Sequence, residues 1–579
     1  MVFDRAELLG QVRENPRFDV IVVGAGINGL GTFWDLSLQG LRCLIVERED
    51  LCGATSAAPS RMIHGGLKYL ETGEFRLVSE STLERNRLLR NASHLVRPLP
   101  MVVPARSWFG GLIPAMLRFF GARPRFKERG VGVILAGLKL YDFLGRHERI
   151  LPRSGFLGRR RLRRQLRGIA DSFVAGCTYH DAWITAPERL GLELAMDGCA
   201  ADTGSVALNH CELVGRDGDA LLFRDAADPA SEPLRATGKV VINAAGAWID
   251  RANKAMGEDT AFIGGTKGSH ILLDHDDLHA RLRGKMIYFE SADSRICLVF
   301  PYLDKVLLGS TDIPLAEPDD AVCTDEEIDY LFAALHGIFP GLGIGTPDIV
   351  YTYSGVRPLV RSGADDPGDI SRDHSMPALE PAGDRGFPVL SLVGGKWTTF
   401  RAFAQQTTDE VLRRLGKTRR STTEARPIGG GDGFSPTPEH LARQVAALGA
   451  AHGTSPKHAQ HLVAFYGARA DTMAAFCAAA PDRPVAGLVG YTERELTFLA
   501  TRELVVHLED LVLRRTPMAI LGQLDAANIR EVCRIVAAAL GWDAARSEAE
   551  LERLRSTLSR QHRVVIGEDR QEFEHRRAT

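Results

Sequence analysis

A histidine, two glycines, a lysine and a tyrosine stand close together in the segment RMIHGGLKYLE. His64 is a candidate general base, because a neutral imidazole titrates near neutral pH. Gly65 and Gly66 would let the main chain pass close to a flat group, and His64 would then lie at the edge of that group. Lys68 and Tyr69 follow at once as polar groups that could bind an anion. The segment therefore predicts proton abstraction next to a planar cofactor.

Three further cationic side chains stand in motifs that could bind an anion. Arg357 lies in SGVRPL; because its guanidinium stays protonated, it could bind a hydroxyl or a phosphate and stabilise alkoxide charge, but it is a poor base. Arg372 lies in SRDH, where Asp373 could pair with it instead. Lys396 follows two glycines and precedes the predicted start of a helix. Together with Lys68, these side chains argue for a dianionic substrate.

Each of these residues also has an ordinary structural interpretation. His64 could be a hydrogen-bonded histidine of the core, Arg357 could form a structural salt bridge, and Lys396 could be a solvated lysine at a helix start. The concentration of positive charge in these motifs is more than one structural site needs, which favours the chemical interpretation of the set.

The N-terminal segment FDVIVVGAGINGLGTFWDLSLQGLRCLIVERED predicts a strand, a tight turn, a helix and a strand. Gly24, Gly26 and Gly29 form a Gly-x-Gly-x-x-Gly pattern. The first glycine permits the turn, the second lets a pyrophosphate approach the backbone, and the third lets the helix pack on the strand. The helix start faces the phosphates. Glu47 ends the second strand, where it could bind ribose hydroxyls and would repel the extra phosphate of NADP. The segment predicts a bound dinucleotide.

The residues after Glu47 distinguish FAD from NAD. An NAD-binding fold continues with alternating strands and helices, whereas here the Thr-Ser-Ala-rich loop ATSAAPS follows, whose hydroxyls could bind a pyrophosphate and a ribityl chain. FAD is therefore the predicted cofactor. The predicted chemistry is hydride transfer from an alcohol to flavin N5, with a base for the hydroxyl proton. Gly65 and Gly66 would then pass the isoalloxazine, and Lys396 could face its N1–O2 edge.

These motifs belong to a longer ordered set, over which the chain resembles the FAD-dependent glycerol-3-phosphate dehydrogenases, within the wider group of D-amino-acid oxidase-like flavoproteins. The resemblance covers about residues 17–520. Its marks are VVGAGINGLG (22–31), ATSAAPSRMIHGGLKYLETGEFRLVSE (54–80), NAAGAWID (243–250), KGSHILL (267–273), LLGSTD (307–312), YTYSGVRPL (351–359), ISRDHS (370–375), VGGKWTTFR (393–401) and LVLRRT (511–516).

The resemblance implies oxidation of sn-glycerol 3-phosphate to dihydroxyacetone phosphate, with electrons passing through FAD to a membrane quinone. It also implies which residues contact each partner. The implied FAD contacts are Gly24, Gly26, Asn28, Gly29, Glu47, Thr55, Ser56, Ser60, Gly65, Gly66, Gly246, Gly394, Gly395, Lys396 and Thr398. The implied substrate contacts are Lys68, Tyr69, Arg357, Arg372 and Lys396. The implied catalytic residues are His64, Arg357 and Lys396.

Three features depart from the family's pattern. Many members have arginine where this chain has Lys68, so a two-pronged grip on a phosphate becomes a point charge. The stretch 106–167 is longer and more basic than usual, and ITAPERL replaces an aspartate-rich DDARL. Oxidation of another polyol phosphate, such as a four-carbon one, therefore stays open, as does an oxidase that uses oxygen. A redox-inactive flavin-binding scaffold is the remaining alternative, and the joint presence of His64, Arg357 and Lys396 argues against it.

The predicted fold class is α/β, with a Rossmann-type FAD-binding domain, an interleaved antiparallel-sheet substrate domain and an all-α C-terminal domain. The predicted segments are 17–85, 170–260 and 355–420 for the FAD-binding domain, 86–169 and 261–354 for the substrate-binding and membrane-proximal domain, 421–438 for a linker, 439–565 for the helical domain and 566–579 for a loose tail. Beyond the linker, apolar residues recur at helical spacing, and the stretch 493–516 is predicted as helical.

Composition narrows the class of protein further. A net charge of −2 gives no general attraction to nucleic acid, and the nine cysteines are scattered, which indicates reduced thiols and no metal site. No run of about 18 apolar residues occurs, so no membrane span is expected. The expected location is cytoplasmic, with the oligomeric state, a homodimer included, left open.

One region could still place the protein on a membrane. The segment 107–146 mixes aromatic residues with arginine and lysine, and GRRRLRRQLR (158–167) adds six arginines. Such a mixture suits peripheral docking on an anionic leaflet, here the cytoplasmic face of the inner membrane, where an enzyme that reduces a quinone would find its acceptor. A solvated helix beside an ordinary core is the alternative.

Overall fold

The chain folds around two β-sheets followed by a helical region. The computed structural model describes residues 3–70, 73–110, 129–202, 204–291, 293, 295–361 and 373–567. The strands are β1 (Arg17–Val23), β2 (Cys43–Val46), β3 (Met62–Ile63), β4 (Val96–Ala105), β5 (Gly155–Gly158), β6 (Ala175–Ile184), β7 (Val206–Leu208), β8 (Cys211–Asp217), β9 (Ala220–Asp225), β10 (Leu234–Asn243), β11 (Ile263–Leu273), β12 (Met286–Glu290), β13 (Ile296–Tyr302), β14 (Lys305–Gly309), β15 (Ile313–Pro314), β16 (Ile349–Val360), β17 (Ala378–Leu379) and β18 (Val389–Ser391).

Helices cover both sheets and make up most of the region after residue 437. They are Arg5–Glu14, Ile27–Leu38, Ala54–Ala57, Phe75–Asn91, Val131–Leu144, Arg159–Gln165, Pro187–Ala201, Ile249–Ala255, Asp276–Leu282, Asp325–His336, Phe400–Arg414, Pro438–His452, Pro456–Tyr466, Ala470–Ala478, Glu493–Arg502, Leu508–Asp510, Ala526–Leu540 and Ala544–His562. None of the helices in the described ranges combines the length and apolar character that a membrane span requires.

The first sheet is a Rossmann-type layer. Strands β18, β10, β1, β2 and β7 lie side by side in parallel, and β17, β9 and β8 extend the sheet with antiparallel pairs. All four residues of β2 are buried apolar residues, as expected for a strand covered on both faces. The helix Ile27–Leu38 packs between the helices Pro187–Ala201 and Phe400–Arg414. The glycine turn, which follows β1, therefore lies at the carboxyl edge of these parallel strands.

The second sheet is almost wholly antiparallel. Its order is β15-β11-β14-β13-β12-β4-β6-β3, with β16 paired to β11 and β5 paired to β6; only β12 and β4 run parallel. Its short strand β3 precedes His64 directly, and β16 carries Arg357. Because β3 and β6 belong to this sheet, the predicted segments 17–85 and 170–260 each contribute a strand to it. The predicted fold class, an α/β chain with a C-terminal helical region, is confirmed.

The predicted helical stretch 493–516 is interrupted, and charge pairing explains the interruption. The helix Glu493–Arg502 ends at Glu503, whose buried carboxylate accepts two hydrogen bonds of 2.7 Å from Arg189 Nη1. The carbonyl oxygen of Glu503 accepts from Arg515 Nε at 2.7 Å. A continuous helix would point the carboxylate and the carbonyl oxygen of Glu503 away from Arg189 and Arg515. The ion pair between Glu503 and Arg189 therefore overrides the local preference for helix.

The region 421–438, predicted as a linker, packs closely against its neighbours. A Cβ at Gly430 would lie 2.1 Å from the carbonyl oxygen of Tyr466, and a Cβ at Gly431 would lie 2.3 Å from that of Asn91. The glycines therefore serve close packing between the first sheet's helices and the C-terminal helices.

A buried cluster of charges joins the loop after Glu47 to the C-terminal helices. Asp50 and Arg515 form an ion pair, and the His210 ring lies 3.1 Å from both oxygens of Asp510. Burial alone would lower the pKa of His210, but the Asp510 carboxylate raises it above its ordinary value. Asp50, His210 and Asp510 offer ligand atoms within 4.8 Å of one another. Because Arg515 already neutralises Asp50, these groups form an ion-pair network that fixes the position of the C-terminal region.

Candidate active site

The dinucleotide turn lies between β1 and the helix Ile27–Leu38, and two of its glycines are sterically required. A Cβ at Gly29 would lie 2.0 Å from the carbonyl oxygen of Gly24. Gly24 has a φ of +100°, and a Cβ there would lie 2.7 Å from the carbonyl group of Ala244, just beyond the end of the neighbouring strand. Gly26 caps the helix with extended backbone. The turn therefore brings the helix start over the edge of the sheet, where dinucleotide phosphates bind.

Glu47 braces this turn at the end of β2. One carboxylate oxygen accepts the backbone N–H of Ala25 at 2.8 Å, and the other accepts that of Glu49 at 3.2 Å. Burial raises the pKa of Glu47, while the two backbone donors work against that rise. Each carboxylate oxygen keeps a second lone pair, so the group can still accept from the hydroxyls of a ribose.

The hydroxyl-rich loop after β2 joins the turn to the second sheet. Ser56 Oγ accepts the N–H of Ile27 at 3.0 Å, and the Ser56 carbonyl oxygen accepts from Trp397 Nε1 at 3.0 Å. Thr55 Oγ1 donates to the carbonyl oxygen of Val356 at 2.7 Å. The loop therefore contacts the glycine turn, the turn after β18 and strand β16 at once.

The turn after β18 approaches the glycine turn from the other side. Gly394 and Gly395 have φ values of +77° and +89°, the left-handed region that favours glycine. Asn28 Nδ2 donates to the carbonyl oxygen of Gly394 at 3.2 Å, and a Cβ at Gly395 would lie 2.8 Å from the same Nδ2. Gly246 also has a positive φ, +57°, and no atom among the described residues lies within 4 Å of a Cβ built there.

His64, Tyr69 and Lys396 come together at this corner. The rings of His64 and Tyr69 lie 6.3 Å apart at 28°, and Lys396 Nζ lies 4.1 Å from the centre of the Tyr69 ring. Lys396 Nζ also donates to Ser81 Oγ at 3.0 Å. The backbone N–H of His64 donates to Thr398 Oγ1 at 3.1 Å. A candidate base and a cation thus share one aromatic neighbour, which is an arrangement for holding an anionic alcohol.

The two glycines after His64 have neighbours within the protein that require them. A Cβ at Gly65 would lie 2.2 Å from the Tyr141 hydroxyl oxygen, and a Cβ at Gly66 would lie 2.2 Å from the Tyr69 ring. Gly66 has a φ of +79°. These contacts supply a packing reason for both glycines that the sequence did not indicate, and their predicted approach to the isoalloxazine stays a prediction.

Arg357 lies on β16 in a second group of polar residues. Its guanidinium donates to Asp312 Oδ1 at 3.0 Å, to Ser310 Oγ at 3.2 Å and to the carbonyl oxygen of Thr311 at 3.1 Å. The alternative of an ion pair, left open by the sequence, is therefore realised at Arg357. About a quarter of its side chain is exposed, so the pairing still leaves the group accessible to a ligand.

His270 lies beside Arg357 as a neutral buried ring. Ser60 Oγ and His270 Nε2 are 2.8 Å apart, and the ring stacks on Tyr353 at 4.9 Å. Burial lowers the pKa of His270 to about 3, and the Arg357 and Arg61 cations add to the effect. Ser60, predicted as an FAD contact, is therefore also the hydroxyl that orients this histidine.

The predicted residues thus fall into two groups, the corner around Lys396 and the polar group around Arg357. The segment with Thr55 and Ser56 contacts the elements that carry both groups. Lys68 is exposed, in a single helical turn that begins one residue after Gly66. Arg372 lies outside the described residues. The sequence missed Ser81 and Asp312, which bind Lys396 and Arg357. Ser81 gave no distinctive signal, since the buried face of the helix Phe75–Asn91 carries several polar residues besides it.

Comparison with known proteins identifies the family. Residues 19–409 match the family described as FAD dependent oxidoreductase, and residues 421–547 match the family described as the C-terminal domain of alpha-glycerophosphate oxidase. The chain belongs to the FAD-dependent oxidoreductase family. The recognition made from the sequence motifs is thereby confirmed.

Individual relatives span nearly the whole chain. Glycerol-3-phosphate dehydrogenase of Synechocystis sp. is 31% identical over 566 residues, which cover 93% of this chain and 96% of that protein. D-erythritol 1-phosphate dehydrogenase of Brucella abortus is 29% identical over 510 residues, covering 86% of this chain and 94% of that protein. The structure of glycerol-3-phosphate dehydrogenase from Bacillus halodurans complexed with FAD has the same fold, with a TM-score of 0.73 at 21% identity, covering 96% and 97% of the two chains.

The cofactor of this oxidoreductase is FAD, and the residues at the turn fit it. The absence of side chains at Gly24 and Gly29 brings the main chain of the turn to the position that a pyrophosphate needs. The buried Oδ1 of Asn28 has no hydrogen-bond partner among the described residues, so it remains available as an acceptor. We expect Glu47 to supply the carboxylate for a ribose, and Thr55 and Ser56, whose hydroxyls bind Val356 and Ile27 within the protein, remain predicted FAD contacts.

We expect Glu47→Ala to weaken FAD retention, because it removes the ribose acceptor and the brace on the Ala25 N–H together. Purified protein should lose most of its flavin on dialysis, measured by the ratio of absorbance near 450 nm to that near 280 nm. Glu49→Ala is the matched control, since Glu49 is two residues away and its side chain is 60% exposed. Full flavin occupancy in dialysed Glu47→Ala would remove Glu47 from the cofactor site.

Proposed function

We propose that this chain oxidises sn-glycerol 3-phosphate to dihydroxyacetone phosphate. The observation that carries the proposal is the corner at which Lys396 and His64 both face Tyr69, tied through Gly394 to Asn28 of the dinucleotide turn. FAD, when bound, supplies the hydride acceptor. The names of the relatives at 31% and 29% identity support a phosphorylated polyol as substrate.

Positive charge on several sides supports a dianionic substrate. Lys396 belongs to the turn after β18, Arg357 belongs to β16, and Lys68 follows β3. A phosphate that meets cations from separate elements is held in one orientation, which presents the adjacent carbinol carbon in a fixed direction. Thr55 contacts the backbone of Val356, next to Arg357, and Ser56 contacts Trp397, next to Lys396, so one short helix links the two elements that carry these cations.

His64 is the proposed acceptor of the hydroxyl proton. A neutral imidazole can take that proton as the C–H bond breaks, and a stacked Tyr69 ring limits its rotation. The Lys396 ammonium group can stabilise the oxygen on which charge develops. Arg357, paired with Asp312, keeps its positive charge and acts in binding rather than in proton transfer.

A four-carbon polyol phosphate is the second candidate substrate. Lys68 offers a point charge in place of a forked guanidinium, and a point charge sets the position of the phosphate less strictly than a fork does. A longer polyol could therefore shift its phosphate and keep its reacting carbon in place. The relative named D-erythritol 1-phosphate dehydrogenase supports this candidate.

Anaerobic flavin reduction separates the candidates. We expect sn-glycerol 3-phosphate to bleach the absorbance near 450 nm, and unphosphorylated glycerol to leave it unchanged, because the cations have no anion to bind. Erythritol phosphate, tested beside it, shows whether the four-carbon substrate is preferred. Failure of every polyol phosphate to bleach the flavin would contradict the proposed oxidation and favour a scaffold.

The electron acceptor is tested on the reduced protein. We expect reoxidation by a soluble quinone to be faster than reoxidation by oxygen. Rapid reoxidation in air with stoichiometric hydrogen peroxide would identify an oxidase instead.

We further propose that the acceptor is a membrane quinone and that the protein docks peripherally on the membrane. The helix Val131–Leu144 is apolar on both faces: Ile134, Leu138 and Tyr141 are buried, while Leu140 and Phe143 are exposed by 38% and 59%. An outward apolar face of this kind suits the interface of a bilayer. Phe119, Phe120 and the basic residues between 111 and 128 lie outside the described residues.

Trp108 and Phe109 lie next to the start of that helix in space and extend the exposed apolar surface. They are 49% and 75% exposed, and the Trp108 ring lies 6.0 Å from the ring of Phe156, which is itself 42% exposed. The helix starts against this group, because the N–H of Gly132 donates to the carbonyl oxygen of Trp108. Aromatic side chains at such a surface support the docking proposal.

We expect Leu140→Ser combined with Phe143→Ser to weaken binding to anionic vesicles by about tenfold or more, because two apolar side chains are lost from the docking face. Co-sedimentation with phosphatidylglycerol-containing vesicles measures the effect. Val489→Ser is the matched control, since Val489 is 70% exposed in the C-terminal region. Equal sedimentation of all three proteins would contradict docking through this helix.

A further inference from the structure

Three buried polar residues lie directly behind the backbone of the His64 segment. Tyr141 belongs to the helix Val131–Leu144, Asp181 to β6 and Arg85 to the helix Phe75–Asn91. Their side chains are almost fully buried, with relative exposures of 4%, 1% and 3%. Nothing in the proposed binding of FAD or of a phosphorylated alcohol uses them.

Hydrogen bonds connect this trio to the main chain next to His64. The Gly65 N–H donates to the Tyr141 hydroxyl oxygen at 3.0 Å and to Asp181 Oδ1 at 3.2 Å. The Tyr141 hydroxyl donates to Asp181 Oδ1 at 2.7 Å. Arg85 Nη1 donates to both acceptors, at 2.9 Å and 2.7 Å. One backbone N–H is therefore held by a charge-balanced cluster contributed by three elements.

The preceding N–H is held from the opposite direction. His64 donates its backbone N–H to Thr398 Oγ1 in the turn after Lys396. Because the peptide groups on both sides of the His64 Cα atom are held, the direction of the His64 Cα–Cβ bond, from which the imidazole extends, is held as well. The two anchors belong to different parts of the fold: Thr398 to the cofactor side and Tyr141 to the side of the exposed helix.

Tight packing makes the second anchor sensitive to small changes. The loop lies so close to Tyr141 that a Cβ at Gly65 would be 2.2 Å from the hydroxyl oxygen. Burial and the Asp181 carboxylate raise the pKa of the Tyr141 phenol well above its ordinary value, so the hydroxyl keeps its proton and its role as donor. Arg85 compensates the charge of Asp181, which keeps the cluster stable when buried.

We propose that Tyr141 is a positioning residue for His64: its hydroxyl, with Asp181 and Arg85 behind it, fixes the Gly65 peptide and thereby the Cα–Cβ bond that carries the imidazole. The proposal rests on the proposed function for its kinetic consequence, but its structural part concerns the chain alone. It also gives the helix Val131–Leu144 a role at the reaction centre, because Tyr141 is that helix's contact with the His64 loop.

The test replaces only the hydroxyl. Tyr141→Phe keeps the ring and its packing, and removes the nearer of the two acceptors of the Gly65 N–H, leaving only the longer contact to Asp181 Oδ1. Tyr179→Phe is the matched control: Tyr179 is a buried residue whose ring centre lies 5.9 Å from that of Tyr141, and it is not among the acceptors of the Gly65 N–H. Both variants lose one tyrosine hydroxyl from the same part of the core.

Amide hydrogen exchange tests whether the Gly65 N–H is held, and it requires no reduction of the flavin. In the wild-type holoprotein the Gly65 amide should exchange slowly, and in Tyr141→Phe it should exchange at least tenfold faster, with the Tyr179→Phe control unchanged. Fast exchange of Gly65 in the wild type would overturn the proposal, and this measurement decides even where Tyr141→Phe does not fold. Equal protection in the wild type and in a folded Tyr141→Phe would overturn it as well.

Anaerobic stopped-flow reduction by sn-glycerol 3-phosphate measures how loss of the Tyr141 hydroxyl changes the rate of flavin reduction. We expect Tyr141→Phe to reduce its flavin about tenfold more slowly at saturating substrate, with the half-saturating concentration within about twofold of wild type, because only the orientation of the base changes. An unchanged rate in a folded Tyr141→Phe would overturn the positioning role. If no polyol phosphate reduces the flavin of the wild type, the proposed function is contradicted. The exchange result would still test whether Tyr141 holds the Gly65 N–H.

Discussion

The close approach of the helix Ile27–Leu38 to the end of strand β1 determines where the other groups of this site lie. At Gly29 there is no room for even a methyl group, since a Cβ would lie 2.0 Å from the carbonyl oxygen of Gly24. That contact sets the height of the helix Ile27–Leu38 above the sheet and so the position of its N–H groups. Every other group of the site takes its place relative to this turn.

Distant segments reach the site through hydrogen bonds to that turn. Asn28 binds the carbonyl oxygen of Gly394, Ser56 accepts from the helix start, and Glu47 braces the loop from β2. These contacts bring residues that are hundreds of positions apart to the same edge of the first sheet. Lys396 follows Gly394 by two residues, so the bond from Asn28 indirectly places the cation as well.

Much of this arrangement could be predicted from the sequence because it is encoded locally. The glycine spacing and the acidic end of β2 depend on residues that are neighbours in the chain. The structure places His64, Tyr69 and Lys396 close together, and the chemical roles predicted for them stay predictions.

Other features depend on contacts that no local pattern reveals. The stretch 493–516 has the periodicity of one helix, but Glu503 is drawn into a buried pair with Arg189 and the helix ends there. The glycines at 65 and 66 indicated a flat ligand, whereas the structure gives them neighbours in Tyr141 and Tyr69. At Glu503 and at Gly65 a side chain from a remote element decides the local conformation, whereas the neighbour of Gly66 is Tyr69, three residues along the chain.

The central claim is that His64, held at the corner with Tyr69 and Lys396, takes the proton of a phosphorylated alcohol. The most direct measurement compares anaerobic bleaching of wild type and His64→Asn by sn-glycerol 3-phosphate, with flavin content matched. Loss of a general base should slow bleaching about 100-fold or more while FAD stays bound. Bleaching of His64→Asn at the wild-type rate would contradict the account.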